Sequence, residues 1–281
     1  MISKMSTSEK ITYSTVLIKS QLLNGAVSTG TGFIMNLCFN ENTKQCIPVV
    51  ITNKHVAQNS TLTVFEFVKQ DSNGMPLDKE VFGVNYQVPQ WIMHPNDDID
   101  LCCLPIAPIL NQLPTGIKVF YIPLETSLIP TEHQLKELTA LEEVLMIGYP
   151  IGLSDYYNHK PILRRGTTAT HAKNDYQGKK DFLIDIACFP GSSGSPILIL
   201  NEGAFTTPHG ITVGSRIMLL GVLHSGPQFT AKGTITFTNL PNAPTPSINV
   251  PMNLGIAVKA TEILKFEDIL NKMNEGGTTC E

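Results

Sequence analysis

Three separated stretches of this chain carry residues that together could transfer an acyl group. Pro190-Gly191-Ser192-Ser193-Gly194-Ser195-Pro196 supplies a candidate nucleophile. Gly191 permits a backbone conformation that a Cβ disfavours. The N–H groups of Gly191 and Ser193 can then converge on one point and hold a developing oxyanion, with the Ser193 hydroxyl beside it. Ser192 lacks a following glycine and Ser195 precedes Pro196, so only Ser193 fits the frame Gly-x-Ser-Gly-Ser-Pro. A plain Gly/Ser turn between strands has the same composition, so the motif needs partners. A serine hydroxyl is a poor nucleophile at neutral pH and requires a base. His55 follows the apolar, β-branched run Val50-Ile51-Thr52 and precedes small residues, which places it at a strand end entering a short turn. Asp98-Ile99-Asp100-Leu101-Cys102-Cys103-Leu104 offers the acid that such a histidine needs. Asp98 and Asp100 are two apart and share a strand face; Asp100 is preferred because the apolar strand starts directly after it. The order along the chain is His, Asp, Ser. An α/β-hydrolase would need Gly-x-Ser-x-Gly and the order Ser, acid, His. Position 195 is serine, and Glu202 is the only acid between Ser193 and the later histidines His209 and His224, so that reading fails. His94 sits in a turn-like His94-Pro95-Asn96, and His133, His159 and His171 lie in polar stretches expected at the surface.

Taken together, these stretches resemble the trypsin-like serine peptidases of the chymotrypsin fold, and the bacterial HtrA-type and glutamyl-endopeptidase branches more than digestive trypsins. Thr29-Gly30-Thr31-Gly32-Phe33 is similar to the family's early Gly-Ser-Gly-Phe strand. Ile51 to Ala57 is similar to its Thr-Asn-x-His-Val motif, Asp100 to Leu104 to Asp-Leu-Ala-x-Leu, and Pro190 to Pro196 to Pro-Gly-Asn-Ser-Gly-Gly-Pro. Asn253-Leu254-Gly255-Ile256-Ala257 resembles the last strand of the second barrel. The matches run in family order over most of the chain. The resemblance implies that Ser193 attacks an acyl carbon, that His55 takes and returns its proton, and that Asp100 holds the His55 tautomer. It implies an oxyanion hole made by the N–H groups of Gly191 and Ser193, and a protein or peptide as substrate.

Two departures from the digestive enzymes matter. Ser192 stands where those enzymes carry an acid that pairs with a newly cut amino terminus, so activation by such a cut is not implied. Control, if there is any, would come from an activating protein partner or an effector ordering the loops near Gly191. Six residues before the serine, where trypsin-like pockets carry an acid, stands Ala187, followed by Cys188. A preference for Lys or Arg is therefore not implied. The other pocket wall would be Gly221-Val222-Leu223-His224-Ser225-Gly226, with Gly255 lining the back. Two placements of His224 remain open. It lies beside the catalytic acid, where the family has a serine, or, shifted by one residue, in the pocket, where it would favour Glu or Gln.

The elements expected to position these residues are almost all strands. The fold class is all-β: a chymotrypsin-like double β-barrel with a C-terminal helix, in one peptidase domain. Barrel 1 is expected over about 10–107, with strands near 13–18, 31–37, 49–52, 62–68, 81–86 and 100–106. A Pro-punctuated crossing takes up about 108–140 and includes a short helix at 134–141, where leucines recur every three residues. Barrel 2 is expected over about 141–259, with strands near 144–148, 161–170, 182–188, 196–200, 217–224, 234–238 and 255–258. Apolar residues at helical spacing then suggest a terminal amphipathic helix over about 260–273.

Composition narrows the alternatives. The 281 residues are 42% hydrophobic, ample for a core, and the net charge of −4 with only short basic clusters leaves no footprint for nucleic acid. The longest apolar runs are too short to span a membrane, and the first ten residues contain no apolar core of a signal peptide. The six cysteines, Cys38, Cys46, Cys102, Cys103, Cys188 and Cys280, form no Cys-x-x-Cys pair, so neither a zinc site nor any other cofactor is expected. Read as free thiols, they suggest a reducing cytoplasm. Two competitors remain: a catalytically silent barrel that binds peptides, and an esterase or acyl transferase using the same three residues.

Overall fold

The computed structural model describes residues 4–87, 89–232 and 247–276. The first half is a nine-stranded sheet of β1 (Thr15–Leu22), β2 (Val27–Asn40), β3 (Gln45–Thr52), β4 (Ser60–Gln70), β5 (Pro76–Gln87), β6 (Ile92–Met93), β7 (Cys102–Pro105), β8 (Val119–Phe120) and β9 (Leu124–Glu125). Its main path runs β5-β4-β1-β2-β3-β7-β6, with β8 added to β4 and β9 to β2. The second half contains β10 (Glu143–Gly148), β11 (Ile162–Thr168), β12 (Asp181–Asp185), β13 (Pro196–Asn201), β14 (Ala204–Thr207), β15 (Gly210–Val213), β16 (Arg216–Ser225), β17 (Gln228–Lys232), β18 (Ser247–Pro251) and β19 (Leu254–Lys259). Six of these close a barrel in the order β10-β11-β12-β19-β16-β13, while β14-β15 and β17-β18 form separate two-stranded sheets.

Unbroken apolar runs such as Val49-Val50-Ile51 arise because both faces of the first sheet are covered. Phe33, Met35, Leu37, Val49, Ile51 and Cys103 point to one core, whereas Ile34, Val50, Cys102 and Leu104 point to another. The alternation is that of a strand. The first of these cores also takes Ile147, Leu198, Val222 and Val258 from the barrel, and Ile263, Phe266 and Leu270 from the C-terminal segment. It is therefore the layer that glues the two halves together. The barrel has its own interior, with Met146, Phe182, Ile197 and Leu223. The C-terminal helix, Lys265–Gly276, follows a 3₁₀ turn at Ala260–Leu264 and buries Phe266 and Leu270, one turn apart.

Several elements differ from expectation. A short helix, Thr7–Ile11, precedes β1, held by a capping box between Ser6 and Glu9. The helix expected at 134–141 starts earlier and is shorter, Glu132–Lys136, because a Thr131–Gln134 capping box sets its start. The crossing segment contributes β8 and β9 to the first sheet, too short to show a period in sequence. The β14-β15 hairpin is largely exposed, and its four-residue strands are likewise too short to show a period. The strand expected at 234–238 lies outside the described residues. Among the described residues, no helix is long and apolar enough to cross a membrane.

Candidate active site

Strand β3 ends at Thr52, and a single helical turn, Lys54–Ala57, carries His55. Asn53, just before this turn, donates from Nδ2 to the backbone oxygen of Asp100 at 2.7 Å. This bond seats Asp100 beneath the histidine. The Asp100 carboxylate meets His55 twice: the backbone N–H donates to Oδ1 at 3.2 Å, and ring Nδ1 lies 2.6 Å from Oδ2. An ionised carboxylate only accepts, so Nδ1 carries a proton, and in the neutral ring Nε2 is the nitrogen with the lone pair. Burial alone would push the Asp100 carboxyl up, but the hydrogen bonds and charge of His55, helped by His224, hold it below its usual value. Asp98 is exposed and does not reach His55; among the described residues only its backbone N–H is engaged, by Asn96 Oδ1 at 3.0 Å.

Ser193 lies in a loop whose carbonyls are all committed from Phe189 to Ser193. Phe189 O accepts from Ser192 N–H (3.0 Å), Pro190 O from Ile151 N–H (2.6 Å), Ser192 O from Ser195 N–H (3.0 Å) and Ser193 O from Thr31 N–H (2.8 Å). Gly191 O accepts from the Thr31 hydroxyl at 3.0 Å. The N–H groups of Gly191 and Ser193 take no partner among the described residues. A buried loop normally pairs its donors, so these two N–H groups, on either side of the paired Ser192 N–H, are open to an acceptor from outside. The loop needs its glycines. Gly191 (φ +85°) presses on the backbone of Tyr149 and Ile151, where a Cβ would come within 2.8 Å, and Gly194 (φ +86°) presses on Thr31 O and Thr52 Oγ1. The serine loop thus packs both on β2 and on the end of β3 that leads to His55. The Ser193 hydroxyl donates to His224 O at 3.3 Å, and no hydrogen bond joins it to His55 among the described residues.

A cavity of about 240 Å³ opens beside Ser193, walled by Cys188, Phe189, Leu223, Ser225, Gly226 and Leu254. Of the residues expected to bind substrate, Cys188, Ser225 and Gly226 line it, whereas Ala187, His224 and Gly255 do not. Ala187 instead offers its carbonyl to the Arg164 guanidinium. Gly255 lies behind Cys188, whose sulfur a Cβ there would meet at 2.7 Å. His224 turns its Nε2 toward Asp181, 3.6 Å away, and its charge reaches Asp100. Of its two open placements this is the one found, and a pocket-facing His224 is set aside. Burial pushes the Cys188 thiol up to about 11, against the pull of Arg164. His94 is not a surface residue: it is buried, its ring edge-on to Phe266 and its Nε2 3.6 Å from Glu262.

The structure adds residues that the sequence did not single out: Asn53 under Asp100, Asp181 beside His224, Arg164 behind the cavity, and Thr31. Asn53 and Thr31 had a signal, their places in the Thr-Asn-x-His and Thr-Gly-Thr-Gly-Phe stretches. The others act across the fold and leave no local pattern.

The family described as trypsin-like peptidase domain matches the sequence over residues 30–206. No curated protein matches it. Solved structures similar to it include an inactive serine-to-alanine mutant of Rv3671c from M. tuberculosis H37Rv, at 16% identity and a TM-score of 0.42, covering 95% of this chain and 89% of that one. The HtrA-type protease AlgW with a tripeptide is 14% identical, with a TM-score of 0.48 and coverage of 94% and 62%. A serine endoprotease from Yersinia pestis is 15% identical, with a TM-score of 0.46 and coverage of 93% and 64%. The chain thus spans less than two thirds of the latter two.

Proposed function

The chain belongs to the trypsin-like peptidase family and is by that membership a hydrolase of the serine-endopeptidase class, and we propose that it cleaves peptide bonds with Ser193, His55 and Asp100. The observation that carries this reading is the 2.6 Å contact between His55 Nδ1 and Asp100, which leaves Nε2 free as a base. In this scheme the Ser193 hydroxyl turns from His224 O to His55 as substrate enters; catalytic hydrogen bonds are often loose before that point. Ser193 Oγ bonds the acyl carbon as its proton passes to His55 Nε2. The carbonyl oxygen, now negative, is held by the N–H groups of Gly191 and Ser193. The imidazolium, stabilised by Asp100, then protonates the leaving amine. Water repeats the sequence on the acyl-enzyme and releases the carboxylate product.

Substrates are proteins or peptides. The apolar cavity beside Ser193 takes the side chain preceding the scissile bond, and its lining favours uncharged, small to medium apolar groups. The five described cysteines are free thiols, which supports work in a reducing compartment such as the cytoplasm. Ser192 is buried, carries no charge, and its hydroxyl has no partner among the described residues, so it offers no ion pair with a cut amino terminus to order the loop. Activity then needs no such cut, and any control acts through a partner or effector at the loops near Gly191.

The test is a fluorophosphonate probe, which reacts with activated serines, applied to intact protein and to Ser193→Ala. Labelling of the first alone, with peptide hydrolysis lost on the order of a millionfold in the mutant, is the expected result. No labelling of folded wild type would mean a silent peptide-binding barrel. Labelling with hydrolysis of esters but not amides would mean an esterase or acyl transferase.

A further inference from the structure

Given the serine-peptidase role proposed above, we infer that Thr31 is a positioning residue whose hydroxyl holds the Ser193 loop in its oxyanion-binding form. Thr31 is fully buried on β2, and its hydroxyl makes no bond within its own strand. It instead joins two segments far away in sequence. Tyr149 N–H donates to Oγ1 at 3.0 Å, and Oγ1 lies 3.0 Å from Gly191 O. An amide N–H can only donate, so the single Thr31 proton goes to Gly191 O. The residue's backbone N–H also holds Ser193 O at 2.8 Å, and Thr52 Oγ1 holds Thr31 O at 2.7 Å.

The arrangement fixes the loop from both sides. Tyr149 opens the turn in which Ile151 N–H holds Pro190 O at 2.6 Å. In a trans peptide the N–H points opposite to the carbonyl, so pinning Pro190 O to Ile151 turns Gly191 N–H away from that turn. The next carbonyl, Gly191 O, is pinned by Thr31. Gly191 has no Cβ to oppose its rotation, and the carbonyls of the two peptides that flank it are thus held, one directly by the Thr31 hydroxyl and one through the turn that it anchors. Without the hydroxyl, Gly191 O and Tyr149 N–H lose their common partner. The Pro190–Gly191 peptide, held only through the turn that Tyr149 opens, then gains a competing state in which it rotates and Gly191 N–H is withdrawn. Space for this bridge is reserved by Gly148, where a Cβ would overlap Thr31 Oγ1 and Ser195 Oγ.

Removing one oxyanion donor outright costs about 10²–10³ in kcat. Loss of the Thr31 hydroxyl withdraws a donor only part of the time, so kcat should fall about 10- to 100-fold. KM should stay within about threefold, because the cavity walls are untouched. The variants are Thr31→Val, Thr31→Ala, which avoids any misfit of the valine, and Thr31→Ser, which keeps the hydroxyl. Two readouts are needed: kcat and KM on a peptide substrate, and amide hydrogen exchange of segments 149–152 and 189–195. Val and Ala should lower kcat and speed exchange in both segments, and Ser should restore both. Wild-type kcat and exchange in Val and Ala would overturn the inference. Equal damage in Ser would also overturn it, since the methyl group rather than the hydroxyl would then matter. A wild-type protein inert to the probe would sink the peptidase reading, while exchange alone would still decide whether Thr31 holds the loop.

Discussion

Asp100→Asn exchanges one oxygen for an amino group at nearly constant volume, and the geometry says what that exchange does. The carboxylate serves as acceptor twice, for the His55 backbone N–H at 3.2 Å and for ring Nδ1 at 2.6 Å. An Asn side chain has one acceptor oxygen. If that oxygen faces Nδ1, the new NH₂ meets the backbone N–H, donor against donor. If it faces the backbone, the NH₂ donates to Nδ1, the ring proton moves to Nε2, and the base is lost. Position 100 itself stays put, because Asn53 holds its backbone oxygen. Turnover should therefore fall by about 10⁴, or about 5 kcal/mol of transition-state stabilisation, with a native circular dichroism spectrum. Asp98→Asn, exposed and out of reach of His55, should stay within about twofold of wild type. The assay is the second-order rate of fluorophosphonate labelling by intact mass, run beside peptide hydrolysis. More than about a tenth of wild-type activity in Asp100→Asn, or greater damage from Asp98→Asn, would refute the assignment. The pH dependence has a definite sign. The Asp100 carboxyl is held below its usual value, so its stabilising contribution is present above about pH 4 and is lost as pH falls through its lowered value. The Asn variant lacks that contribution and should lose less stability than wild type in acid.

Three further outcomes are expected. A peptide library should be cut mainly after uncharged, small to medium apolar residues, since Cys188, Phe189, Leu223 and Leu254 line the cavity and the Arg164 guanidinium stands behind it at Ala187 O; cleavage mainly after Lys or Arg would contradict this. Burial pushes the Cys38 and Cys188 thiols up to about 11 from 9.0, so unfolded chains ionise first and stability should decline as pH rises from about 9 toward 11; alkylation of Cys188 should be slow at pH 8 and should abolish peptide cleavage, and fast labelling at neutral pH would count against a buried thiol. Glu142→Ala should strand Arg216, whose side chain is 9% exposed and 2.6 Å from the carboxylate, costing about 3 kcal/mol and lowering Tm by about 6–12 °C in a thermal melt; an unchanged Tm would show that Asn201, which also accepts from Arg216, suffices as partner.

Much of the candidate site was legible because its signals are local. Gly191 needs its positive φ, Ser193 needs the glycine after it, and His55 must follow the strand that ends at Thr52. Neighbouring residues state each of these conditions. The choice of Asp100 over Asp98 was legible for the same reason, as the apolar run begins directly after Asp100. Strands buried on two faces were likewise visible as unbroken apolar runs, although which core each residue serves was not.

What only the tertiary structure decided depends on register and on partners distant in sequence. The pairing of β16 with β19 shifts between Leu223 and Ser225. A one-residue slip reverses the face a side chain occupies, and here it accompanies the turn of His224 toward Asp181 rather than into the cavity. Nothing within Gly221 to Gly226 states where that irregularity falls. Short capped helices and the exposed β14-β15 hairpin carry too few residues for a period to emerge. Thr31 in sequence is one small residue between two glycines; its hydroxyl acquires meaning only when folding brings Tyr149 and Gly191, 118 and 160 residues further along the chain, to the same oxygen. Local sequence sets backbone preference, but the partner of a buried hydroxyl is chosen by the packing of the whole chain.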